Sequence, residues 1–398
     1  MSTEHGSPDT PRTAAARVDG RTARTAVPPP PPHLVPRERL LELVSRGVRG
    51  PLTLVSASAG TGKTTLVSSW VRRGEAPGPV AWLTLDEAGR RPRDFWAAVV
   101  ERLVDVGVDP GPGVAPTPTG DLRRAVLDPL ARSLARRREP VVLVLDDGDA
   151  LGDRELGEAV SELLRGAHGR LRLVLLTRTD PFLPLHRYRV DGDVSEIRAA
   201  DLAFDADEQA ALVRGYGLSL SEPGAATLHE RTGGWPVAIR FAAMVLAGRP
   251  DAERAVRELR GDGGELAAYF VREVLQTQPA DLREVLLRTS VVDDLPPGLV
   301  EALTGLPARG RVLEFMAHGN AFVQPLPGSP GSFRYQSLFR EFLRAQLAYE
   351  RPALVPELHR RAADWYAQHD RPLEARRHAA AAAAGAAEPS HVTPPAVP

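Results

Sequence analysis

The chain has 398 residues and a formal net charge of −1, which gives length for about two or three domains and no whole-molecule attraction for nucleic acid. It holds no cysteine, excluding disulfides, thiol catalysis and Cys-ligated zinc. Its apolar runs are too short for a transmembrane helix and its polar first 32 residues hold no signal-peptide core, so a cytoplasmic protein is expected.

In chain order, residues 1–33 are rich in Ser, Thr, Ala, Arg and Pro and end in a proline run, which reads as a disordered arm with a stiff polyproline end. Strands then alternate with helical stretches across 34–200. The expected strands are Leu52–Ser56, Val80–Thr84, 141–145, Leu171–Thr177 and Val194–Arg198. Near-continuous Val/Leu runs mark strands buried on both faces, hence a parallel sheet with helices on each side. A Pro/Gly loop is expected over 109–120. Beyond Asp201 the strand signal fades and helices dominate.

One residue stands out against this background. Lys63 is the sole lysine among 50 basic residues, the others being arginine. It lies in Ala57-Ser-Ala59-Gly60-Thr61-Gly62-Lys63-Thr64-Thr65, between the first strand and a helix expected over 64–73. A phosphate-binding loop wraps phosphates in backbone N–H groups at a helix N-terminus and needs a compact ammonium. The planar guanidinium of Arg does not substitute. Lys63 therefore reads as a nucleotide ligand and Thr64 as the hydroxyl on Mg²⁺. Ala57 departs from the usual Gly at the start of the pattern, while Gly60 and Gly62 keep the close backbone approaches.

The run Val141-Val-Leu-Val-Leu145-Asp146-Asp147 places carboxylates at the carboxyl edge of the sheet, where ligands bind in open α/β folds. With a phosphate loop upstream it reads as a Walker B strand: Asp146 toward Mg²⁺, Asp147 to polarise the attacking water. Arg178 ends a third such strand, within reach of a γ-phosphate.

These residues carry a family resemblance. Leu34-Val-Pro-Arg37, the phosphate loop, Leu145-Asp-Asp147, Leu176-Thr-Arg-Thr-Asp-Pro181 and Glu196-Ile-Arg-Ala-Ala-Asp-Leu202 come first. Thr232-Gly-Gly-Trp-Pro236, Leu286-Leu-Arg-Thr-Ser290 and Leu338-Phe339-Arg-Glu-Phe-Leu343 follow in the same order. Together they resemble the large ATP-binding LuxR-type regulators of the maltose-regulator class, which belong to the STAND branch of the AAA+-like NTPases. The resemblance implies an α/β P-loop NTPase with a parallel sheet (34–200), then an all-α helical domain (201–262) and a winged-helix domain (263–350). A helical repeat would start at 351–385, with a disordered tail at 386–398 and Gly385 as the helix stop.

It also implies ATP or ADP as ligand with Mg²⁺. Arg37 and Pro236 would flank the adenine, with Ala59, Gly60, Thr61, Gly62, Lys63, Thr64 and Thr65 on the phosphates. Thr64 and Asp146 would serve the metal, with Asp146, Asp147 and Arg178 as the hydrolytic and sensor groups. The family's winged helix usually carries His where this chain has Gln336, which would leave an ADP-held resting state less firmly locked. The family continues through further repeats to a C-terminal helix-turn-helix, absent from these 398 residues. Direct DNA binding is therefore not expected here, nor is a membrane partner. Self-association in the ATP state and a partner protein on the last helix pair are the partners implied. The alternative class is a nucleotide-binding interaction scaffold with negligible turnover. A small-molecule phosphotransferase would need a charged acceptor clamp, which the sequence does not offer.

Overall fold

The computed structural model describes residues 26–85, 92–111, 114, 122–249, 251–305, 322–326 and 328–387. Residues 1–25 of the expected arm, most of the 109–120 loop and residues 388–398 of the expected tail lie outside the described residues.

Five strands, β1 (Leu52–Ser56), β2 (Val80–Thr84), β3 (Val141–Asp146), β4 (Leu171–Thr177) and β5 (Val194–Arg198), form an all-parallel sheet in the order β2-β3-β4-β1-β5. The pleat explains the composition of these strands. Leu52, Leu54, Leu143, Leu145, Leu173 and Leu175 face one side, where Phe95, Trp96 and Leu103 of helix Pro92–Asp105 pack. Val55, Val142, Val144, Val174 and Leu176 face the other, against Leu40, Val44, Leu66 and Trp70 from helices Glu38–Gly47 and Lys63–Arg72. Both faces are buried, so neither shows hydrophobic–polar alternation.

The strand order has a functional consequence. β4 lies between β1 and β3, with Val55 opposite Leu176 and Leu143 opposite Leu173. The end of β4 thus sits between the phosphate-loop strand and the Asp146 strand. Pairing on this scale is non-local, and the strand sequences leave it open.

From Ala199 onward the chain is mainly helical. A three-stranded antiparallel sheet, β6 (Asp294–Leu295), β7 (Val323–Pro325) and β8 (Phe333–Tyr335), is ordered β6-β8-β7. It packs with helices Ala280–Thr289, Pro297–Thr304 and Ser337–Glu350. Described residues from Phe204 to Tyr366 contribute to one continuous hydrophobic core that also takes in Val35 from the N-terminal segment. The helical, winged-helix and repeat segments are thus fused rather than separately cored.

Two sequence expectations shift. Residues 26–33, assigned to the arm, pack on the folded body: Arg72 donates to the carbonyls of Val27 and Pro28, both at 2.9 Å, and the His33 ring lies 4.5 Å from that of Tyr216. The last helix, Pro372–Ala387, runs through Gly385 rather than stopping there. One glycine costs a helix only about 1 kcal/mol, and the surrounding alanines are the best helix formers. Among the described residues no helix is long and apolar enough to cross a membrane.

Candidate functional site

The loop after β1 closes onto the N-terminus of helix Lys63–Arg72 through Gly62, whose φ of 88° is the left-handed value that glycine adopts without strain. Gly60 is required for a different reason. A Cβ there would come within 2.5 Å of Val237 Cγ1 and 2.7 Å of the Tyr269 hydroxyl, so the loop is pressed against residues far along the chain. Ala57 has no positive φ, and its N–H donates to the Thr177 carbonyl at 3.1 Å. A methyl group is therefore tolerated where the usual pattern has Gly.

Lys63 is buried and its ammonium donates to the carbonyls of Ala57 (2.7 Å) and Ser58 (3.0 Å), which holds it along the inside of the loop. Burial, together with the Arg178 guanidinium and against the opposing pull of Asp149, Asp147 and Asp146, lowers its pKa to about 8. Thr64 donates to Asp146 Oδ1 at 2.9 Å, so the hydroxyl and carboxylate expected to share Mg²⁺ already meet across 82 residues of sequence. Burial, with a smaller push from the neighbouring Asp147 charge and against the downward pull of the Thr64 hydrogen bond, raises Asp146 to about 6.

Asp147 is exposed and holds φ at 53°, a left-handed conformation uncommon outside glycine but accessible to Asp. Its N–H donates to Asp146 Oδ1 at 3.1 Å, fixing the two carboxylates relative to one another. Arg178 lies beside them. Asp149 accepts from the Arg178 N–H and from Thr177 Oγ1, each at 2.8 Å, and so anchors the end of β4. The Arg178 guanidinium reaches Glu273, at 3.3 Å from its carbonyl and 3.4 Å from its carboxylate, in the turn Phe270–Leu275.

Thr232-Gly-Gly-Trp-Pro236 supplies the most direct tie between the loop and the helical region. Trp235 Nε1 donates to the Ala59 carbonyl at 3.2 Å, and the Val237 N–H donates to the Gly60 carbonyl at the same distance. The fully buried Trp235 ring stacks on Phe270 (5.3 Å) and meets Phe322 edge-on (4.6 Å). Both phenylalanines also pack against Phe339 of helix Ser337–Glu350. A continuous aromatic path thus joins the phosphate loop to the small antiparallel sheet. Gln336, at the position where the family carries His, caps that helix by accepting from the Phe339 N–H at 2.9 Å, and its amide donates to the Arg231 carbonyl. It serves packing between the two regions.

A cavity of about 470 Å³ opens alongside the loop, lined by Gly60, Thr61, Gly62 and Thr65 on one side and by Pro236, Val237 and Arg240 on another. Pro30, Pro31 and Pro32 form a third wall that the sequence did not mark as part of a site. Arg37 also lines the cavity, but its guanidinium is committed. It grips Glu208 bidentately (3.0 and 2.8 Å), donates to the Leu202 and Ala203 carbonyls, and covers the Phe204 ring at 4.7 Å. Arg37 thus holds the 199–208 segment against the N-terminal helix.

The expected site residues therefore fall into one connected region. Ala59 to Thr65, Asp146, Asp147 and Arg178 gather at the carboxyl edge of the sheet, with Arg37 and Pro236 around the adjoining cavity. Sequence reasoning passed over Asp149, Glu208 and Glu273. Asp149 follows the Walker B pair by two residues, and Asp205-x-x-Glu208 reads only as a helix-start capping box, which it also is. Glu273 carries no local signal. In the winged-helix region Arg334 and Arg340 are paired with Asp294 (2.7 Å) and Asp293.

Residues 271–355 match the family model of the MalT winged helix domain. The serine/threonine-protein kinase PknK of Mycobacterium tuberculosis is 33% identical over 385 residues, covering 93% of this chain and 35% of that protein. The HTH-type transcriptional regulator MalT of Klebsiella pneumoniae is 29% identical over 362 residues, covering 88% of this chain and 39% of that protein. The chain is thus similar along most of its length to PknK and MalT, and it carries a MalT-type winged helix at residues 271–355. It spans little more than a third of the length of these curated relatives. Among solved structures, the STAND protein with a tetratricopeptide-repeat sensor PH0952 from Pyrococcus horikoshii aligns with a TM-score of 0.42 at 14% identity, over 88% of this chain and 48% of that one. This similarity to MalT, with the all-parallel sheet and the matched winged helix, supports an ATPase-type regulatory core.

Proposed function

We propose that the chain is an ATP/ADP-dependent signal-transduction switch, the ATPase core of a MalT-like transcriptional regulator, in which slow hydrolysis resets an active state. Four regions carry the switch: the P-loop domain (34–200), the helical domain (201–262), the winged helix (263–350) and the start of a repeat (351–385). The observation that carries the proposal is the position of Arg178. It stands at the end of the central strand next to the Walker B pair, and its guanidinium bonds Glu273 of the winged-helix region. A group that can leave Glu273 for a phosphate couples what occupies the loop to how the regions dock.

The residues fit the nucleotide and the metal. Lys63 lends its ammonium from loop carbonyls to phosphate oxygens. The amides of Gly60 to Thr65 and the helix N-terminus complement negative charge. Thr64 and Asp146 already share a hydrogen bond at the place where Mg²⁺ would be held, and the metal would supply charge neutralisation at the phosphates. Asp147 orients water, and Pro236 borders the base end of the cavity. Trp235 and Arg178 tie the loop to the winged helix, so nucleotide shifts the domain equilibrium by its differential affinity for the two arrangements. Self-association in the ATP form and a cytoplasmic location belong to the same proposal.

The test is the nucleotide content of freshly purified protein, released by denaturation and resolved by chromatography, together with turnover by Asp147→Ala. Bound ADP in the parent and retained, unhydrolysed ATP in the variant are expected. Absence of nucleotide from the parent, with no ATP binding on titration, would leave only an interaction scaffold. Loss of nucleotide by Asp147→Ala would remove Asp147 from the hydrolytic role.

A further inference from the structure

Four arginines line the cavity beside the phosphate loop: Arg37, Arg72, Arg73 and Arg240. Three are spent on the protein. Arg37 is locked onto Glu208 and two carbonyls. Arg72 is tied to the Val27 and Pro28 carbonyls, and Arg73 is paired with Glu38. Arg240 has no hydrogen bond, ion pair or ring contact among the described residues. It is half-buried on helix Pro236–Leu246, one turn after Pro236 and on the same face, because residues four apart stack on an α-helix. That face is fixed against the loop by the bond from the Val237 N–H to the Gly60 carbonyl and by the contact of Val237 with Gly60. Arg240 is therefore an uncommitted cation on a rigid wall, facing the same cavity as Gly60, Thr61 and Gly62.

A guanidinium left without a partner at the edge of an otherwise largely apolar cavity calls for an anion. Its planar fork matches two phosphate oxygens and is itself rigid, so less ordering entropy is lost per hydrogen bond formed. We propose that Arg240 is a ligand-binding residue that pairs with the phosphate chain of the bound nucleoside di- or triphosphate, opposite the Lys63 loop. The proposal rests on the nucleotide-switch function above and goes beyond it by assigning a phosphate contact to the helical region. Through Arg240 the phosphates bridge two parts of the chain, so nucleotide binding itself tightens the contact between the sheet and helix Pro236–Leu246.

The experiment is calorimetric titration of the full, nucleotide-stripped chain with ATP, ADP and adenosine, using Arg240→Gln, Arg240→Lys and Lys63→Ala. Losing one charge-assisted phosphate contact should weaken ATP and ADP binding by Arg240→Gln roughly tenfold to a hundredfold. Adenosine affinity should stay unchanged, and Arg240→Lys should recover part of the loss. An equal loss for adenosine would move Arg240 to the base or ribose and overturn the phosphate assignment. Unchanged ATP and ADP affinity in Arg240→Gln, with the expected loss in Lys63→Ala, would overturn the proposal while leaving the nucleotide site standing. Unchanged affinity in Lys63→Ala would bring down the nucleotide site itself. Thermal unfolding without nucleotide should be unaltered in Arg240→Gln, since the side chain bonds nothing in the described structure.

Discussion

Replacing Lys63 with Met separates what this side chain costs the fold from what it supplies to a ligand. The lysine is buried, and its pKa of about 8 lies well below the usual value of about 10.4. As pH falls from about 10.4 to about 8, the unfolded chain takes up a proton that the folded chain does not. The charged lysine therefore destabilises the fold progressively through that window and fully below it, by about 3 kcal/mol at pH 7. Its two hydrogen bonds to the Ala57 and Ser58 carbonyls return about 1 kcal/mol each. Met fills similar volume without charge, so Lys63→Met should gain on the order of 1 kcal/mol at pH 7, where the lysine penalty is complete. The gain should disappear near pH 10. Nucleotide affinity should move the other way, falling roughly tenfold to a hundredfold with the lost charge-assisted phosphate contacts. Urea unfolding at pH 7 and pH 10 without nucleotide, alongside calorimetric titration with ATP, reads both effects. Unchanged ATP affinity would refute the phosphate role. A stability loss of several kcal/mol at pH 7 would refute the balance drawn between burial and hydrogen bonding.

Two further outcomes are expected. Asp146 is held at about 6 mainly by burial, so it loses its charge as pH drops through that value, and the Mg²⁺ contribution to nucleotide affinity should vanish with it. ADP titrations with and without Mg²⁺ at pH 5 and pH 7.5 check this, and an equal Mg²⁺ contribution at both would contradict it. Trp235→Phe leaves the Ala59 carbonyl without its donor and reduces the stack on Phe270 and Phe322, so it should cost about 1–3 kcal/mol by urea unfolding and weaken ADP binding. A variant as stable as the parent would mean that the aromatic path does not bear on the loop.

Local chemistry made much of the site legible. A phosphate loop works through neighbours in sequence, because backbone amides, the ammonium and the hydroxyl must converge on one small anion within a single turn. Hence Gly60 to Thr65 could be read directly, as could the apolar strand that ends in Asp146 and Asp147. The five parallel strands were also legible, most clearly β1, β3 and β4, where burial on both faces leaves runs of Val and Leu too long for a half-exposed strand. The Thr64–Asp146 contact followed only as an expectation from the pairing of the two motifs.

Contacts made across long sequence distances have no such signature. Arg37 could be marked as important, but not that Glu208 and the Leu202 and Ala203 carbonyls would occupy its guanidinium, because one arginine among so many carries no address. The same holds for Arg178 meeting Glu273, and for the prolines that wall the cavity. A Pro-rich stretch looks like solvent-exposed chain until Arg72 and the neighbouring core are brought beneath it. By itself the sequence determined the class of fold and marked the glycine-rich loop and the acidic strand end as the candidate site, because each is written in consecutive residues under one local constraint. Only the tertiary structure decided that β4 lies between β1 and β3, that Trp235 reaches the loop and that Arg240 has no partner among the described residues. Those outcomes depend on how distant segments share one core, and no local pattern encodes that packing.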